Sequence, residues 1–203
     1  MMDLVVATFN LNKLKEIRKI AEELNLDINL RSLNEFKGIK EMEEDGESFE
    51  GNAVKKARGY YSQIGLPVLS EDSGLCVEAL DGQPGVYSSR FAGEDKDDYK
   101  NNLKLLELMK GIEDREAKFV CVACLVLTED KIEVFRGELC GKIADEMRGE
   151  YGFGYDPVFI PEGYDETLAE LGPEIKNKIS HRRKAIHQAL LYLWGLEKQC
   201  DDH

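Results

Sequence analysis

The sequence predicts a mixed α/β fold, a sheet with helices on both sides, and three observations predict it. A strand-then-helix pattern opens the chain, two long neighbouring strand patterns occupy its middle, and helical patterns recur before and after them. That central strand pair interrupts the alternation, so a simple repeating βαβ arrangement does not fit. At 203 residues the chain suits one ordinary domain, or two intimate lobes, and can bury a real core.

Taken in order, "DLVVATF" reads as a buried strand that ends at polar "NLNK", after which Leu14, Ile17, Ile20, Ala21 and Leu24 recur at helical spacing. "LDINL" alternates as a second strand. The acidic "EMEEDGESFE" leads into a helix through Phe49, Ala53, Ala57, Tyr60 and Ile64, which Gly65 and Pro67 stop. A short strand around Val68 then delivers the glycine-rich loop "LSEDSGLCVEALDGQPGVYSSRFAGE", in which Ser73-Gly74 supplies a turn. Asp95 to Lys110 forms a third helix with Tyr99, Leu103, Leu106 and Met109 on one face. Ala117 to Thr128 and Lys131 to Gly141 read as two long strands joined by a short polar turn, hence antiparallel. "YGFGYDPVFIP" is a glycine-punctuated loop running into a strand, and Ser180 caps a closing helix through Ile186, Leu190, Leu193 and Leu196. No internal repeat or low-complexity tract is present.

Composition excludes several classes of function. Forty acids against 27 bases give a net charge of −13, which opposes the non-specific phosphate attraction on which nucleic-acid binders depend. The longest apolar run, Phe119 to Leu127, falls far short of the ~20 residues of a spanning helix, and the N-terminus lacks the basic and apolar regions of a leader. A soluble, cytoplasmic protein with no membrane or nucleic-acid partner is expected. The five cysteines, Cys76, Cys121, Cys124, Cys140 and Cys200, are odd in number and scattered, so they read as reduced thiols. "CVAC" matches C-x-x-C, but on a strand residues three apart face opposite ways and the two sulfurs diverge.

Against this acidic background two short segments are basic, "NLNKLKEIRK" and "KNKISHRRK", and such islands suit compact anionic ligands. Lys15, Arg18 and Lys19 fit a solvated helix face. Asn10 and Lys13 sit where a strand gives way to a helix, the place where backbone N–H groups and the helix dipole hold phosphate. Acids also cluster, at Glu43, Glu44 and Asp45 and again at Glu71 and Asp72. Two carboxylate sources are what a Mg²⁺ bridging protein and phosphates needs, and an exposed acidic turn is the bland alternative. Adjacent strand residues face apart, so Glu71 and Asp72 can share one metal only if the chain turns there.

The blocks "ATFNLNKLKEI", "EEDGESFEGNAVKKA", "SEDSGLCVEALDGQPGVYSSRFAGED", "GFGYDPVFIPEGYDETLAEL" and "KNKISHRRKA" resemble, in order and nearly end to end, those of the inosine triphosphate pyrophosphatases. The resemblance implies a single catalytic domain over residues 1–203, with a long mixed central sheet, two α/β lobes and the active site in the cleft between them. It implies hydrolysis of inosine, deoxyinosine and xanthosine triphosphates to monophosphate and pyrophosphate with Mg²⁺, by a homodimer. Carried over by position, Thr8, Asn10, Lys13 and Lys56 hold phosphates, and Phe9, Leu11 and Asn12 of the first loop, with Ser73, contact substrate. Glu44 and Asp72, with Glu71 beside them, serve the metal, and Asp72 is also the proton acceptor. Phe153, Gly154, Tyr155 and Asp156 line the nucleoside pocket, while Lys176, His181 and Arg182 close over base and phosphates. Phe9 and Asn12 depart from the small residues common in the first loop, and Glu71 stands where many bacterial members have Asp.

Splitting an α–β phosphoanhydride requires neutralising a polyphosphate and aiming a water in line with the leaving pyrophosphate. Lys13, Lys56 and Mg²⁺ are expected to supply the charge, and Asp72 to orient and deprotonate the water. Arg182, a permanent donor, would distinguish a 6-oxo purine from a 6-amino one, with Phe153 stacked on the ring. A glycosidase also pairs carboxylates, but across a bond and ~5 Å or more apart, and would leave Lys13, Lys56 and Lys176 unexplained. A nucleotide pyrophosphatase with a different base preference stays open.

Overall fold

A computed structural model describes residues 2–201, with side chains through residue 196. The described chain forms a six-stranded sheet in the order β2-β1-β3-β4-β5-β6. The strands are β1 (Met2–Val6), β2 (Ile28–Ser32), β3 (Val68–Val77), β4 (Glu116–Thr128), β5 (Lys131–Ile143) and β6 (Phe159–Pro161). The helices are α1 (Leu11–Glu23), α2 (Phe49–Ile64), α3 (Asp98–Leu108), α4 (Leu168–Leu171), α5 (Pro173–Ile179) and α6 (His181–Asp201). β1 pairs in parallel with both β2 and β3, whereas β5 and β6 are antiparallel, so the sheet is mixed as expected. No helix of the described residues is long and apolar enough to cross a membrane.

The chain divides into two compact units. The first runs through Asp72, returns for Cys121–Gly137 and resumes at Arg182; the second holds Ser73–Val120 and Glu138–His181. In the first, α1 buries Leu14, Ile17, Ile20 and Ala21, and α6 buries Ile186, Leu190 and Leu193, all packed with Leu4, Leu69 and Leu125 of the strands. Each fully buried side chain of this kind contributes about 1.5–3 kcal/mol, which is why the helical spacing in the sequence was so plain. α2 presents Phe49, Ala53, Ala57 and Tyr60 inward, starts at the Ser48 cap, whose hydroxyl accepts from Gly51 N at 3.0 Å, and ends at Gly65. Gly65 has φ +72, a conformation that favours glycine at a helix end.

The second unit packs Leu75, Val77, Leu105, Met109, Phe119, Val158, Phe159 and Leu168 together. Here two expectations fail. The turn at Ser73-Gly74 does not exist, because β3 continues unbroken from Val68 to Val77, keeping Leu69, Leu75 and Val77 buried. In α3 the expected face holds only at its end, where Leu106 and Met109 pack inward; Tyr99 and Leu103 are 62% and 44% exposed, and Asn101, Asn102 and Leu105 are buried instead. The two asparagines are buried because their amides satisfy backbone groups of neighbouring loops: Asn101 Oδ1 accepts from Ala92 N at 2.7 Å, and Asn102 Nδ2 donates to Gly154 O at 2.8 Å.

Candidate active site

The first unit gathers five charged groups around β3. Because β3 is a true strand, its neighbours Glu71 and Asp72 are sent to opposite sides, and both are buried. Glu71 Oε1 lies 2.5 Å from Lys13 Nζ and 3.6 Å from Arg182 Nε, while the Cys121 thiol donates to Oε2 at 3.4 Å. Arg182 Nη1 in turn donates to Glu16 Oε2 at 3.0 Å. Burial works against the Glu71 carboxylate, but Lys13, Arg182 and Lys56 outweigh it and hold its pKa well below the usual range. The same burial and the Glu71 charge push the Cys121 thiol far up, so it is a proton donor here and not a nucleophile. Cys124 is pushed up to about 12, chiefly by burial. The C-x-x-C pattern therefore belongs to the strand, and Cys76, Cys121, Cys124 and Cys140 are in no disulfide. The Cys200 side chain lies outside the described residues.

Asp72 has a different setting. Its Oδ2 accepts from Asn52 Nδ2 at 2.9 Å. Burial raises its pKa to about 6; the Asn52 hydrogen bond and Lys56 pull it down, and Glu44 and Glu71 push it up. Lys56, buried on α2, forms an ion pair with Glu44 of the acidic segment before that helix. Its ammonium is favoured because, although burial opposes it, the Glu44 and Glu71 charges prevail.

The first loop feeds this cluster through Lys13. Asn10 caps α1: its Oδ1 accepts from Asn12 N at 2.9 Å and Lys13 N at 3.3 Å, and Asn10 N donates to Thr8 Oγ1 at 3.0 Å. The amides of Asn10, Asn12 and Lys13 thus hydrogen-bond within the loop. Phe9, Asn10, Leu11 and Asn12 are exposed, Thr8 and Lys13 half-buried.

Glu44 and Asp72 are the oxygen donors best suited to a hard cation, since a positive charge there would offset the burial that chiefly raises the Asp72 pKa and the Glu44 charge that adds to it. Among the described residues no three acidic, histidine or cysteine side chains converge to hold a metal by themselves. Two carboxylates completed by phosphate oxygens and water fit the coordination that Mg²⁺ takes. Glu71, expected beside the metal, has Lys13 and Arg182 on one oxygen and Cys121 on the other.

The second unit holds an aromatic platform. Asp156, 2% exposed, accepts from Lys176 Nζ at 2.5 Å and from Phe153 N at 3.0 Å through the same oxygen, Oδ2. This seats the Lys176 ammonium 4.0 Å from the centre of the Phe153 ring. Phe153 itself is 40% exposed, so the ring has an open side. α3 fixes the next residue from both directions: Gly154 N donates to Asp98 Oδ2 and Gly154 O accepts from Asn102 Nδ2, each at 2.8 Å. Tyr155 is buried and donates its hydroxyl to Ser88 O at 2.6 Å. Gly152 has φ +81, and a Cβ there would stand 2.0 Å from Asp156 Oδ2. His181 is buried with its ring stacked on Phe119, centroids 4.7 Å apart and planes at 9°. Ser73 is half-buried at the start of this unit.

The Ham1 family model matches residues 4–192. The chain belongs to the Ham1 family. Among its Ham1-family relatives, the dITP/XTP pyrophosphatase of Desulforamulus reducens is 46% identical over 191 residues, covering 93% of this chain and 94% of that protein. The dITP/XTP pyrophosphatase of Geobacter sulfurreducens is 48% identical over 188 residues, 92% of this chain and 94% of its own. A HAM1 protein structure from Coxiella burnetii aligns with a TM-score of 0.90 at 40% identity, covering 96% of this chain and all of that one.

Within this Ham1-family chain the expected site residues separate into two groups. Lys13, Glu44, Lys56, Glu71, Asp72 and Arg182 belong to the first unit; Phe153, Gly154, Tyr155, Asp156, Lys176 and His181 belong to the second. Tyr155 and Asp156, expected to line a nucleoside pocket, are both buried; Asp156 holds Phe153 N and Lys176, and Tyr155 reaches Ser88. Sequence reasoning missed Asn52, Glu16, Asp98 and Asn102. A signal existed for two of them: Asn52 and Asn102 are polar residues on inward-facing helix stripes, each three positions from a buried apolar residue, Phe49 and Leu105.

Proposed function

We propose that this Ham1-family chain hydrolyses deaminated purine nucleoside triphosphates, ITP, dITP and XTP, to the nucleoside monophosphate and pyrophosphate. The observation that carries the reading is the cluster in which a buried carboxyl, Asp72, with pKa about 6, shares its surroundings with Glu44 and Lys56, while Lys13 pairs with the neighbouring Glu71. Its identity of 44–48% to dITP/XTP pyrophosphatases over nine-tenths of the chain supports the substrate class.

In this reading Lys13 and Lys56, each anchored by a glutamate, give the polyphosphate its counter-charges, and Lys13 acts through its side chain because its amide is bonded to Asn10. Glu44 and Asp72 would hold Mg²⁺. When bound, Mg²⁺ supplies positive charge to the phosphates and eases the deprotonation of water. Asp72 would orient the attacking water and take its proton, a transfer eased by the greater acidity of water beside Mg²⁺. Glu71 keeps Lys13 and Arg182 in place. Phe153 stacks on the purine with Lys176 held at its ring. Selection of a 6-oxo purine by Arg182 requires the guanidinium to loosen its pairing with Glu16 or Glu71. The same reading has the enzyme working as a cytoplasmic homodimer.

The test is a substrate panel. The purified protein with Mg²⁺ should hydrolyse dITP, ITP and XTP with kcat/KM at least about 10²-fold above ATP, the range that one or two charge-assisted hydrogen bonds to the 6-oxo group provide. Equal efficiency across all purines would support a pyrophosphatase without base discrimination and overturn the substrate assignment.

A further inference from the structure

Asn52 joins two segments that carry the candidate carboxylates. It is 2% exposed on the first turn of α2, its Nδ2 donates to Asp72 Oδ2 at 2.9 Å, and its Oδ1 accepts from Gly46 N at 2.7 Å. The two partners fix the amide's orientation, because a backbone N–H only donates and a carboxylate only accepts. No other side chain of that size offers one donor and one acceptor at this separation. An aspartate would set a second carboxylate against Asp72, and an aliphatic residue would leave both partners unsatisfied.

Gly46 belongs to the same contact. A Cβ on Gly46 would stand 2.5 Å from Asn52 Oδ1 and 3.3 Å from its Cγ, so the acidic segment comes this close to Asn52 only because residue 46 has no side chain. Gly46 is two residues from Glu44, whose carboxylate pairs with Lys56, one helical turn beyond Asn52. One buried amide therefore grips the strand that bears Asp72 and the segment that bears Glu44.

We propose that Asn52 is a positioning residue for hydrolysis, clamping Asp72 and the Glu44 segment into one rigid unit, with Gly46 as the required gap. The inference rests on the reading in which Asp72 and Glu44 act on the nucleotide, and it adds a residue and a mechanical link to it. A reacting group misplaced by about 1 Å costs on the order of 10²-fold in rate, so the clamp acts on kcat and leaves substrate affinity to the lysines.

The experiment is a double-mutant cycle on the full chain with dITP: Asn52→Ala, Gly46→Ala, the pair together, and Asp72→Asn as a reference. Asn52→Ala should lower kcat by about 10²-fold while KM changes less than about threefold. Gly46→Ala, on a half-exposed segment that leaves Asn52 itself intact, should lower kcat comparably, because the new methyl displaces the amide. In the Asn52→Ala background Gly46→Ala should have no further effect. The Asn52 side-chain amide signals in a ¹⁵N–¹H spectrum should shift in both Gly46→Ala and Asp72→Asn, a readout independent of turnover. Independent, multiplicative losses in the double variant, or Asn52→Ala with wild-type kcat, would overturn the clamp. If Asp72→Asn is itself fully active, the reading beneath the proposal fails instead; if Asp72→Asn is inactive while Asn52→Ala is not, the clamp alone falls.

Discussion

Glu71 and Asp72, neighbours on β3, are held by opposite kinds of partner: Lys13 Nζ lies 2.5 Å from Glu71 Oε1, whereas the neutral Asn52 amide donates to Asp72 Oδ2 at 2.9 Å. Strand alternation creates the difference, since successive side chains meet opposite surroundings. One carboxyl is consequently driven well below its ordinary pKa and the other up to about 6. The first is fitted to hold cations in place and the second to exchange a proton.

Glu71→Gln should therefore destabilise the protein. Lys13 and Arg182 would keep their charges beside a buried neutral amide, and removing one partner of a buried ion pair costs about 3–5 kcal/mol. Thermal and urea unfolding should both show the loss. A melting temperature within a degree of wild type would mean that this network contributes nothing net.

Asp72→Asn should do the reverse. The fold holds the Asp72 proton up to about pH 6 and the unfolded chain only to about 4, so ionisation weighs against folding. The stability that wild type has below pH 4 is lost as pH rises through 6, by up to about 3 kcal/mol from this group. The asparagine variant does not lose it. In chelator, the variant's advantage in melting temperature should grow between pH 4 and 6 and stay level above, while its kcat falls by orders of magnitude. A constant difference across that range would contradict the raised pKa.

How far such contrasts could be read in advance depends on the kind of interaction. α2 was legible because Phe49, Ala53, Ala57 and Tyr60 form one apolar stripe and Gly65 ends it, all within local sequence. β3 was misread as a turn at Ser73-Gly74, since its glycine-rich composition resembles a loop; the burial of Leu75 and Val77 that keeps it extended is a tertiary fact. Tyr99 and Leu103 misled for the same reason, because the needs of distant backbone groups at Ala92 and Gly154 placed Asn101 and Asn102 inward. The candidate acids and lysines stood out as residue types. Their pairing did not, as Lys13 and Glu71 are 58 residues apart in the chain.

Lys13→Ala should raise KM for every nucleoside triphosphate by a similar factor, about 10-fold or more for the loss of a charge-assisted contact, and leave the ranking of bases unchanged. Steady-state kinetics with dITP, XTP and ATP would reveal it. A changed ranking would move Lys13 from the phosphates to the base.

Gly152→Ala tests the aromatic platform. Its Cβ would collide with Asp156 Oδ2 in a backbone conformation of φ +81 that disfavours alanine, and Asp156 is what seats both Lys176 and the Phe153 backbone. KM for dITP should rise at least about 10-fold with a circular dichroism spectrum close to wild type. Unaltered KM would show that the Phe153 platform does not bind the substrate.

The most direct test of the central claim is the identity of the products. Hydrolysis of dITP or XTP by the purified protein with Mg²⁺, followed by ³¹P NMR, should yield nucleoside monophosphate and pyrophosphate in equal amounts, with no inorganic phosphate and no activity in excess chelator. Release of inorganic phosphate with the nucleoside diphosphate would place the cut at the β–γ bond and contradict the account.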